Sequence, residues 1–176
     1  MAAAIGIYIL AELPGPAGDH IAEIQRKYDP KLAAASRPHV TLVGSSGLGS
    51  ITAGTPVERL REALEPVAAA TPAMRLTFAP AHRFLQTDIV VLPLDPHGPL
   101  RELHERIGRT GLTFARSRFA FSPHATLSYY PTLTPQAARD LLSVRVVDPA
   151  EIARLQVYLT RDPLPARKLL ELQLSG

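Results

Sequence analysis

Residues 37–42 read Arg-Pro-His-Val-Thr-Leu, and residues 122–127 repeat the pattern as Ser-Pro-His-Ala-Thr-Leu about half a chain away. In an extended strand, side chains at positions i and i+2 leave the same face. Each repeat therefore predicts a strand with a histidine and a threonine on one face and apolar side chains on the other. The proline before each histidine fits a strand that begins at the rim of a sheet.

These polar residues, His39, Thr41, His124 and Thr126, suit acid–base chemistry on a phosphate if the two strands meet. Imidazole has an ordinary pKa near neutral pH, so one ring can accept a proton while the other donates one. Threonine hydroxyls can donate to non-bridging phosphate oxygens, where charge grows in the transition state. The alternative is that the histidines are packed or surface residues and that threonine reflects strand propensity. The doubled motif favours catalysis.

The two tetrapeptides that begin at His39 and His124 resemble the signature of the two-histidine (2H) phosphoesterases. The likeness is to the LigT-like branch of 2'-5' RNA ligases and cyclic phosphodiesterases, whose signature is a pair of His-x-Thr/Ser-x motifs. The apolar start of the chain at residues 5–14 and the Arg-Phe-x-x-x-Pro-His run at residues 118–124 are also similar to that family. Ala125 departs from it, because a bulkier apolar residue is usual there, and this bears on packing more than on chemistry.

The resemblance implies a metal-independent phosphodiesterase that acts on RNA-type esters, namely 2',3'-cyclic phosphates, small cyclic nucleotides or 2'-5' linkages. It also permits the reverse reaction, 2'-5' ligation, and it implies RNA or a small nucleotide as the partner. It does not assign the acid and base roles to particular histidines. The alternative function is an RNA- or nucleotide-binding module on the same fold, although binding alone would not require both imidazoles.

The order of elements is repeated along the chain, which indicates internal duplication. Strand, helix, motif strand, helix and strand occur twice, over residues 5–83 and 88–159, and a final strand is predicted at 167–174. We expect a single bilobal α+β domain over residues 1–176. It has two pseudo-symmetric lobes of antiparallel sheet backed by helices, with a central cleft.

Three helix starts and one helix end can be predicted from local signals. Asp19 is expected to cap the first helix, Thr55 the second with Pro56 at its first position, and Thr134 a later one. Pro66 should kink or end the second helix, since proline removes a hydrogen bond and clashes with the preceding turn.

The first half is longer than the second just after its motif, mostly in the glycine- and serine-rich segment 44–54. One interpretation is a surface insertion without function. The other is a mobile loop that closes over the site, because glycine-rich loops beside catalytic strands often act as lids.

A few residues outside the motifs are candidates for substrate contact, and they are Arg118, Tyr130, Phe84 and His82. Arg118 could reach a phosphate, Tyr130 could stack or hydrogen-bond, and Phe84 or His82 could contact a base; otherwise all pack at the rim. The remaining histidines are predicted to lie on the surface, and they are His20, His97 and His104.

Composition narrows the class of protein. The 176 residues are 46% hydrophobic, enough for one substantial core, and the absence of cysteine excludes disulfides and thiolate metal sites. A net charge of +3 supports nucleic-acid binding only weakly. No metal-ligand motif and no P-loop occur in the sequence, so we expect no metal and no cofactor. The apolar run from Ile5 is too short to span a membrane and no basic region precedes it, so we expect a cytoplasmic protein. We also expect a monomer.

Overall fold

The computed structural model describes residues 5–161 and 164–176, without the side chain of Leu164. Its helices are α1 (Gly15–Tyr28), α2 (Pro30–Ala35), α3 (Val57–Ala69), α4 (Pro99–Gly108) and α5 (Pro135–Leu142). Its strands are β1 (Ile5–Glu12), β2 (His39–Val43), β3 (Leu48–Ile51), β4 (Met74–Leu76), β5 (His82–Arg83), β6 (Val90–Pro93), β7 (Phe114–Arg116), β8 (His124–Ser128), β9 (Ala150–Ile152), β10 (Arg154–Arg161) and β11 (Leu164–Gln173). The fold is α+β, as predicted.

Two lobes of antiparallel sheet form one continuous sheet. The first lobe has the order β11-β10-β1-β2 and the second has the order β8-β6-β5. The lobes meet where Val40 of β2 pairs with Ala125 of β8. β3 extends the sheet from β1 and carries β7 on its other side, while β4 and β9 form a separate two-stranded sheet.

The lobes of the sheet do not coincide with the halves of the sequence. β10 follows the second motif along the chain, yet it pairs with β1 in the first lobe. Helices cross over in the same way, since α1 packs against β8 and α4 packs against β2. Each half thus contributes elements to the other half's motif strand. The division of the chain into duplicated halves stays a prediction.

The two motif strands have the same alternation of burial, and each begins at its histidine. Val40, Leu42, Ala125 and Leu127 are fully buried in the core. Burial of one large aliphatic side chain stabilises a fold by roughly 1.5–3 kcal/mol. This burial determines which face of each strand meets the core, and it leaves the histidines and threonines on the opposite face.

Two predicted helix starts are wrong. α1 begins at Gly15, so Asp19 lies inside the helix rather than at its cap. α3 begins at Val57 with Pro56 as its N-cap, and the Thr55 hydroxyl donates to the Thr52 carbonyl at 2.7 Å instead of capping the helix. In both places the N-cap residue is a proline, Pro14 or Pro56, whose side chain has no oxygen to accept a hydrogen bond, so no side-chain cap forms.

The two remaining helix signals have opposite outcomes. The Thr134 hydroxyl accepts a hydrogen bond from the Ala137 N–H, so it caps α5 as predicted. Pro66 does not end α3, which continues to Ala69. Proline is tolerated here because it lies in the last turn, and the carbonyl left without its usual partner belongs to Glu62, an exposed residue.

The segment 44–54 is not the loop that its glycines predict, because it contains β3. Ile51 is fully buried and pairs with β1 on one side and β7 on the other. Gly44 has a φ of +128°, and a Cβ there would lie 2.0 Å from the Tyr8 ring. The glycine therefore serves a tight turn and a close approach to a neighbouring ring.

Candidate active site

All four motif residues line one open cleft of about 700 Å³ on the polar face of the sheet, namely His39, Thr41, His124 and Thr126. The junction between the lobes explains why they converge. Around the Val40–Ala125 pair, antiparallel order sets the position of His39 beside Thr126 and that of Thr41 beside His124. Each histidine thus lies directly across from the threonine of the other motif.

Both histidines are held in the same tautomer by the same local bond. The Nδ1 of His39 lies 2.7 Å from the Arg37 carbonyl, and the Nδ1 of His124 lies 2.8 Å from the Ser122 carbonyl. A carbonyl only accepts, so each Nδ1 carries hydrogen and each Nε2 is left free to exchange protons. The intervening prolines are buried, and they hold the backbone in this conformation.

The prolines are themselves anchored in a symmetric way. The Pro38 carbonyl accepts from the Leu13 N–H at 2.9 Å, and the Pro123 carbonyl accepts from the Leu94 N–H at 3.0 Å. Leu13 and Leu94 directly follow β1 and β6, the partner strands of the two motifs. Each histidine is therefore fixed by its neighbouring strand before any substrate is bound.

Burial lowers the pKa of both histidines below the ordinary value of 6.5. For His39, the bond to Arg37 and the charge of Glu12 oppose this shift, while the charge of His124 adds to it. For His124, only the bond to the Ser122 carbonyl opposes burial. The two rings thus interact electrostatically, but only His39 has a carboxylate that favours its protonated form.

Glu12 reaches His39 because the two residues are direct partners in the β1–β2 pair. The equivalent partner of His124 is Pro93, which carries no charge. Glu12 is held in place by the Tyr158 hydroxyl, which donates to its carboxylate at 2.8 Å, and by its own N–H, which donates to the Gln156 side chain at 2.9 Å. Burial, together with Glu12, raises the pKa of Tyr158 to about 12, so the phenol stays a donor.

The sequence that forms this cleft of paired histidines and threonines matches a known protein family. The model of the 2'-5' RNA ligase superfamily covers residues 13–161, which include both motifs. The chain belongs to that superfamily. Membership confirms the resemblance to the 2H phosphoesterases that the two tetrapeptides carry. No curated protein matches the sequence significantly.

Solved structures with a similar fold include E. coli LigT and a protein described as a phosphoesterase. E. coli LigT complexed with 3'-AMP is 22% identical with a TM-score of 0.57, and the match covers 98% of this chain and 99% of LigT. A protein described as a phosphoesterase is 21% identical with a TM-score of 0.58, over 98% of this chain and 99% of the other. The protein TT0787 of Thermus thermophilus is 13% identical with a TM-score of 0.61, over 97% and 98% of the two chains. At these identities the likeness shows the fold alone.

The predicted substrate-contact residues differ in their positions relative to the cleft and its histidines. Tyr130 lines the cleft. Phe84 lies edge-on to His124, with ring centroids 5.3 Å apart, and the ring centroids of His82 and Phe84 are 6.2 Å apart. Arg118 is exposed and outside the cleft lining. The structure thus brings Tyr130 and Phe84 to the histidines and leaves Arg118 apart.

Sequence reasoning missed several residues that line the cleft, and these include Tyr8, Glu12, Arg37, Tyr129, Tyr158 and Lys168. Tyr8 and Glu12 could have been found from the alternation along β1, since they share the face opposite the buried Ile7 and Ile9. Tyr158 and Lys168 could not, because β10 and β11 come to the site through pairing with a strand far away in the sequence.

The two tyrosines at the end of β8 are positioned by a buried carboxylate. Asp29 is 1% exposed, and its carboxylate accepts from the N–H groups of Tyr129 and Tyr130 at 2.7 and 2.9 Å. The same carboxylate caps α2 through the Leu32 N–H. The Lys31 ammonium lies 4.2 Å from the centre of the Tyr130 ring. One acidic side chain therefore ties α2 to the rim of the cleft.

The predicted surface position is wrong for His104, which is buried beneath the first motif strand. His20 and His97 are exposed, as predicted. His104 lies on the apolar face of α4. Its helical spacing from Leu100 and Leu103 indicates this face only in part. It stacks on Phe121 with ring centroids 4.0 Å apart. Both its ring nitrogens have hydrogen-bond partners, which offset the cost of burying a polar ring.

Across residues 5–161 and 164–176, no group of three or more acidic, histidine or cysteine side chains is arranged to hold a metal ion. Over the same part of the chain, no helix has the length and apolar character that a membrane span requires.

Proposed function

We propose that this protein is a metal-independent phosphodiesterase that acts on RNA-type esters by two-histidine general acid–base catalysis. The expected substrates are 2',3'-cyclic phosphates or 2'-5' linkages, and reverse 2'-5' ligation is allowed by microscopic reversibility. The observation that carries the proposal is the pair of Nε2 atoms, left free because each Nδ1 is engaged with a backbone carbonyl.

Hydrolysis of a cyclic phosphate uses both rings at once. A neutral imidazole takes a proton from water, whose oxygen then forms a bond to phosphorus. The bond between phosphorus and one ribose oxygen breaks, and the imidazolium on the other side gives its proton to that oxygen. We assign the acid role to His39, since Glu12 favours its protonated form, and the base role to His124.

Thr41 and Thr126 act on the phosphate itself. Both side chains line the same cleft as the histidines, and we propose that their hydroxyls donate to the non-bridging oxygens of a phosphate held between the rings. These oxygens gain charge as the bond to water forms, so hydrogen bonds to them strengthen in the transition state. Replacement of either threonine by valine, which keeps the shape, should lower kcat by about 100-fold.

The ligands of a relative support the class of substrate. E. coli LigT has been solved with 3'-AMP, phosphate, NADP+ and ATP. All of them carry phosphate groups, and three are nucleotides. By analogy of fold we propose a nucleotide or RNA end as the partner of this chain.

Turnover of a 2',3'-cyclic nucleotide tests the function. The wild type should hydrolyse it equally well with and without EDTA. His39→Ala and His124→Ala should each lower kcat by on the order of 100-fold or more, and the double variant should be little worse, because the pair acts as a unit. His97→Ala, an exposed histidine outside the cleft, is the matched control and should keep full activity.

Two results would contradict this proposal. Activity that EDTA abolishes and a divalent ion restores would indicate a metallophosphoesterase. No turnover of cyclic nucleotides, 2'-5' dinucleotides or cyclic-phosphate-ended RNA, with RNA binding retained by the double variant, would indicate a binding module instead.

A further inference from the structure

Each motif strand receives a buried polar side chain from the first helix of the other half of the chain. Nδ1 of His104, on α4, lies 2.7 Å from the carbonyl of Leu42 on β2. Nε2 of Gln25, on α1, donates to the carbonyl of Thr126 on β8 at 2.8 Å. Gln25 is 4% exposed and His104 is 6% exposed. The first contact reaches the last residue of its motif and the second reaches the threonine of its motif. Neither side chain has a part in the mechanism above.

Both contacts fall at an irregularity of the sheet. In the β1–β2 pair, Thr41 and Val43 have partners but Leu42 between them has none. In the β6–β8 pair, Thr126 and Ser128 have partners but Leu127 has none. A β-bulge of this kind bends the strand and re-aims nearby side chains. Each bulge directly follows the threonine of a motif, so whatever holds the bulge also sets the direction of the threonine.

His104 fixes more than the bulge. Its Nε2 accepts from the Leu48 N–H at 3.3 Å, which anchors the turn 44–48 that leaves the first motif strand. From that turn, the Ser46 hydroxyl accepts from the N–H of Ser122 at 2.9 Å. The Ser122 carbonyl is the group that orients His124. The side chain on α4 is thus linked by successive hydrogen bonds to both motifs.

The chemistry of these contacts is specific. The Leu42 carbonyl requires hydrogen on Nδ1 of His104, and the Leu48 N–H requires a lone pair on Nε2, so only the neutral Nδ1–H ring satisfies both. The Thr126 carbonyl requires the amide nitrogen of Gln25. No apolar residue of similar size can replace either contact, so the side-chain hydrogen bond to each strand carbonyl would be lost.

We propose that His104 and Gln25 are positioning residues that hold the two bulges, and with them Thr41 and Thr126, in the geometry that the reaction needs. The inference rests on the proposed function. Each residue acts across the halves of the sequence, so each motif is aligned by the half of the chain that does not contain it. A displacement of about 1 Å at a reacting centre can lower the rate by as much as 100-fold.

The test compares variants that keep size and lose polarity. His104→Phe keeps the stack on Phe121 and removes both hydrogen bonds, and Gln25→Met keeps the length of the side chain and removes the amide. His104→Asn returns a donor near the Leu42 carbonyl. The matched controls are His97→Phe and Gln136→Met, at exposed positions outside the cleft.

With a 2',3'-cyclic nucleotide as the probe, kcat of His104→Phe and Gln25→Met should fall by about 10- to 100-fold. KM of His104→Phe should stay within about 3-fold of wild type, since His104 lies outside the cleft lining, whereas Gln25 belongs to that lining. His104→Asn should recover part of the loss, and the controls should match wild type. A kcat within about 2-fold of wild type in folded variants of both helices overturns the proposal. If His104→Phe does not fold, Gln25→Met alone decides the outcome by the same criterion.

A second readout needs no substrate. NMR signals of the His39 ring should change in His104→Phe, and those of the His124 ring should change in Gln25→Met. In each case the mutated helix and the affected histidine belong to different halves of the sequence. A wild type that turns over no phosphodiester refutes the proposed function, and the ring signals then decide this inference alone. Signals of both rings that stay as in the wild type would overturn it.

Discussion

At the scale of single residues, the two histidines have the same tautomer and similar burial, and they differ in one neighbour. His39 faces Glu12 across the β1–β2 pair, whereas His124 faces Pro93 across the β6–β8 pair. A nearby negative charge favours the protonated form of an imidazole. The two rings are therefore unequal although their motifs are nearly identical, and this inequality suits a reaction that needs one acid and one base.

Replacement of Glu12 by Gln tests this difference. The variant loses the charge that raises the pKa of His39, so that pKa should move down while the pKa of His124 stays. The alkaline limb of the kcat/KM profile reports the acid, so it should move to lower pH if His39 is the acid. Movement of the acid limb instead would assign His39 as the base. Glu62→Gln on α3, exposed and outside the cleft, is the control.

At the scale of elements, the segment after the first motif is a structural connection rather than a lid. Its turn binds Ser122 through Ser46, and its strand β3 lies between β1 and β7. Glycine content alone predicts backbone freedom, but here the freedom is used to make a turn and a close contact with Tyr8. Removal of part of this segment should therefore lower the stability of the fold.

Truncation within β3 gives the quantitative test. Ile51→Ala should lower the free energy of unfolding by about 2–5 kcal/mol, because Ile51 is fully buried and its removal leaves a cavity. Leu85→Ala is the control, since Leu85 is 89% exposed and a surface change costs less than about 0.5 kcal/mol. Denaturant unfolding measures both. If Ile51→Ala loses as little free energy of unfolding as the control does, the prediction is wrong and the segment 44–54 is a tolerated insertion.

At the scale of the whole molecule, stability should depend on the protonation of buried histidines. Burial lowers the pKa of His39, His104 and His124 below 6.5. Between each lowered pKa and 6.5, the unfolded chain binds protons that the folded chain does not, so stability rises with pH in that window. It is fully present above about pH 6.5 and is lost as the pH falls toward the folded-state pKa values.

Thermal unfolding at about pH 7.5 and about pH 5.5, on either side of the ordinary histidine pKa, should show this dependence. The wild type should have the lower Tm at the acidic pH, and His104→Phe should show a smaller difference between the two pH values because one titrating group is gone. His97→Phe should keep the wild-type difference, since His97 is exposed. A wild-type Tm that is equal at both pH values, or higher at the acidic one, would contradict the prediction.

The sequence by itself determined the family, the fold class and the four motif residues that line one cleft. The reason is that these features are local. Alternation along a strand decides which side chains face the core, and the bond from each histidine to the carbonyl two residues earlier needs only the Pro-His segment itself. The capping of α5 by Thr134 was predictable for the same reason.

Only the tertiary structure decided what surrounds those residues. Glu12 meets Tyr158, Gln25 meets Thr126 and Asp29 meets Tyr129 across separations of 146, 101 and 100 residues. Such contacts depend on which strands pair and which helix covers which strand, and the exchange of elements between the halves cannot be read from short-range patterns. A buried His104 and an ordered segment 44–51 follow from this exchange, because the energy of packing against distant strands overrides the local preference for loop or surface.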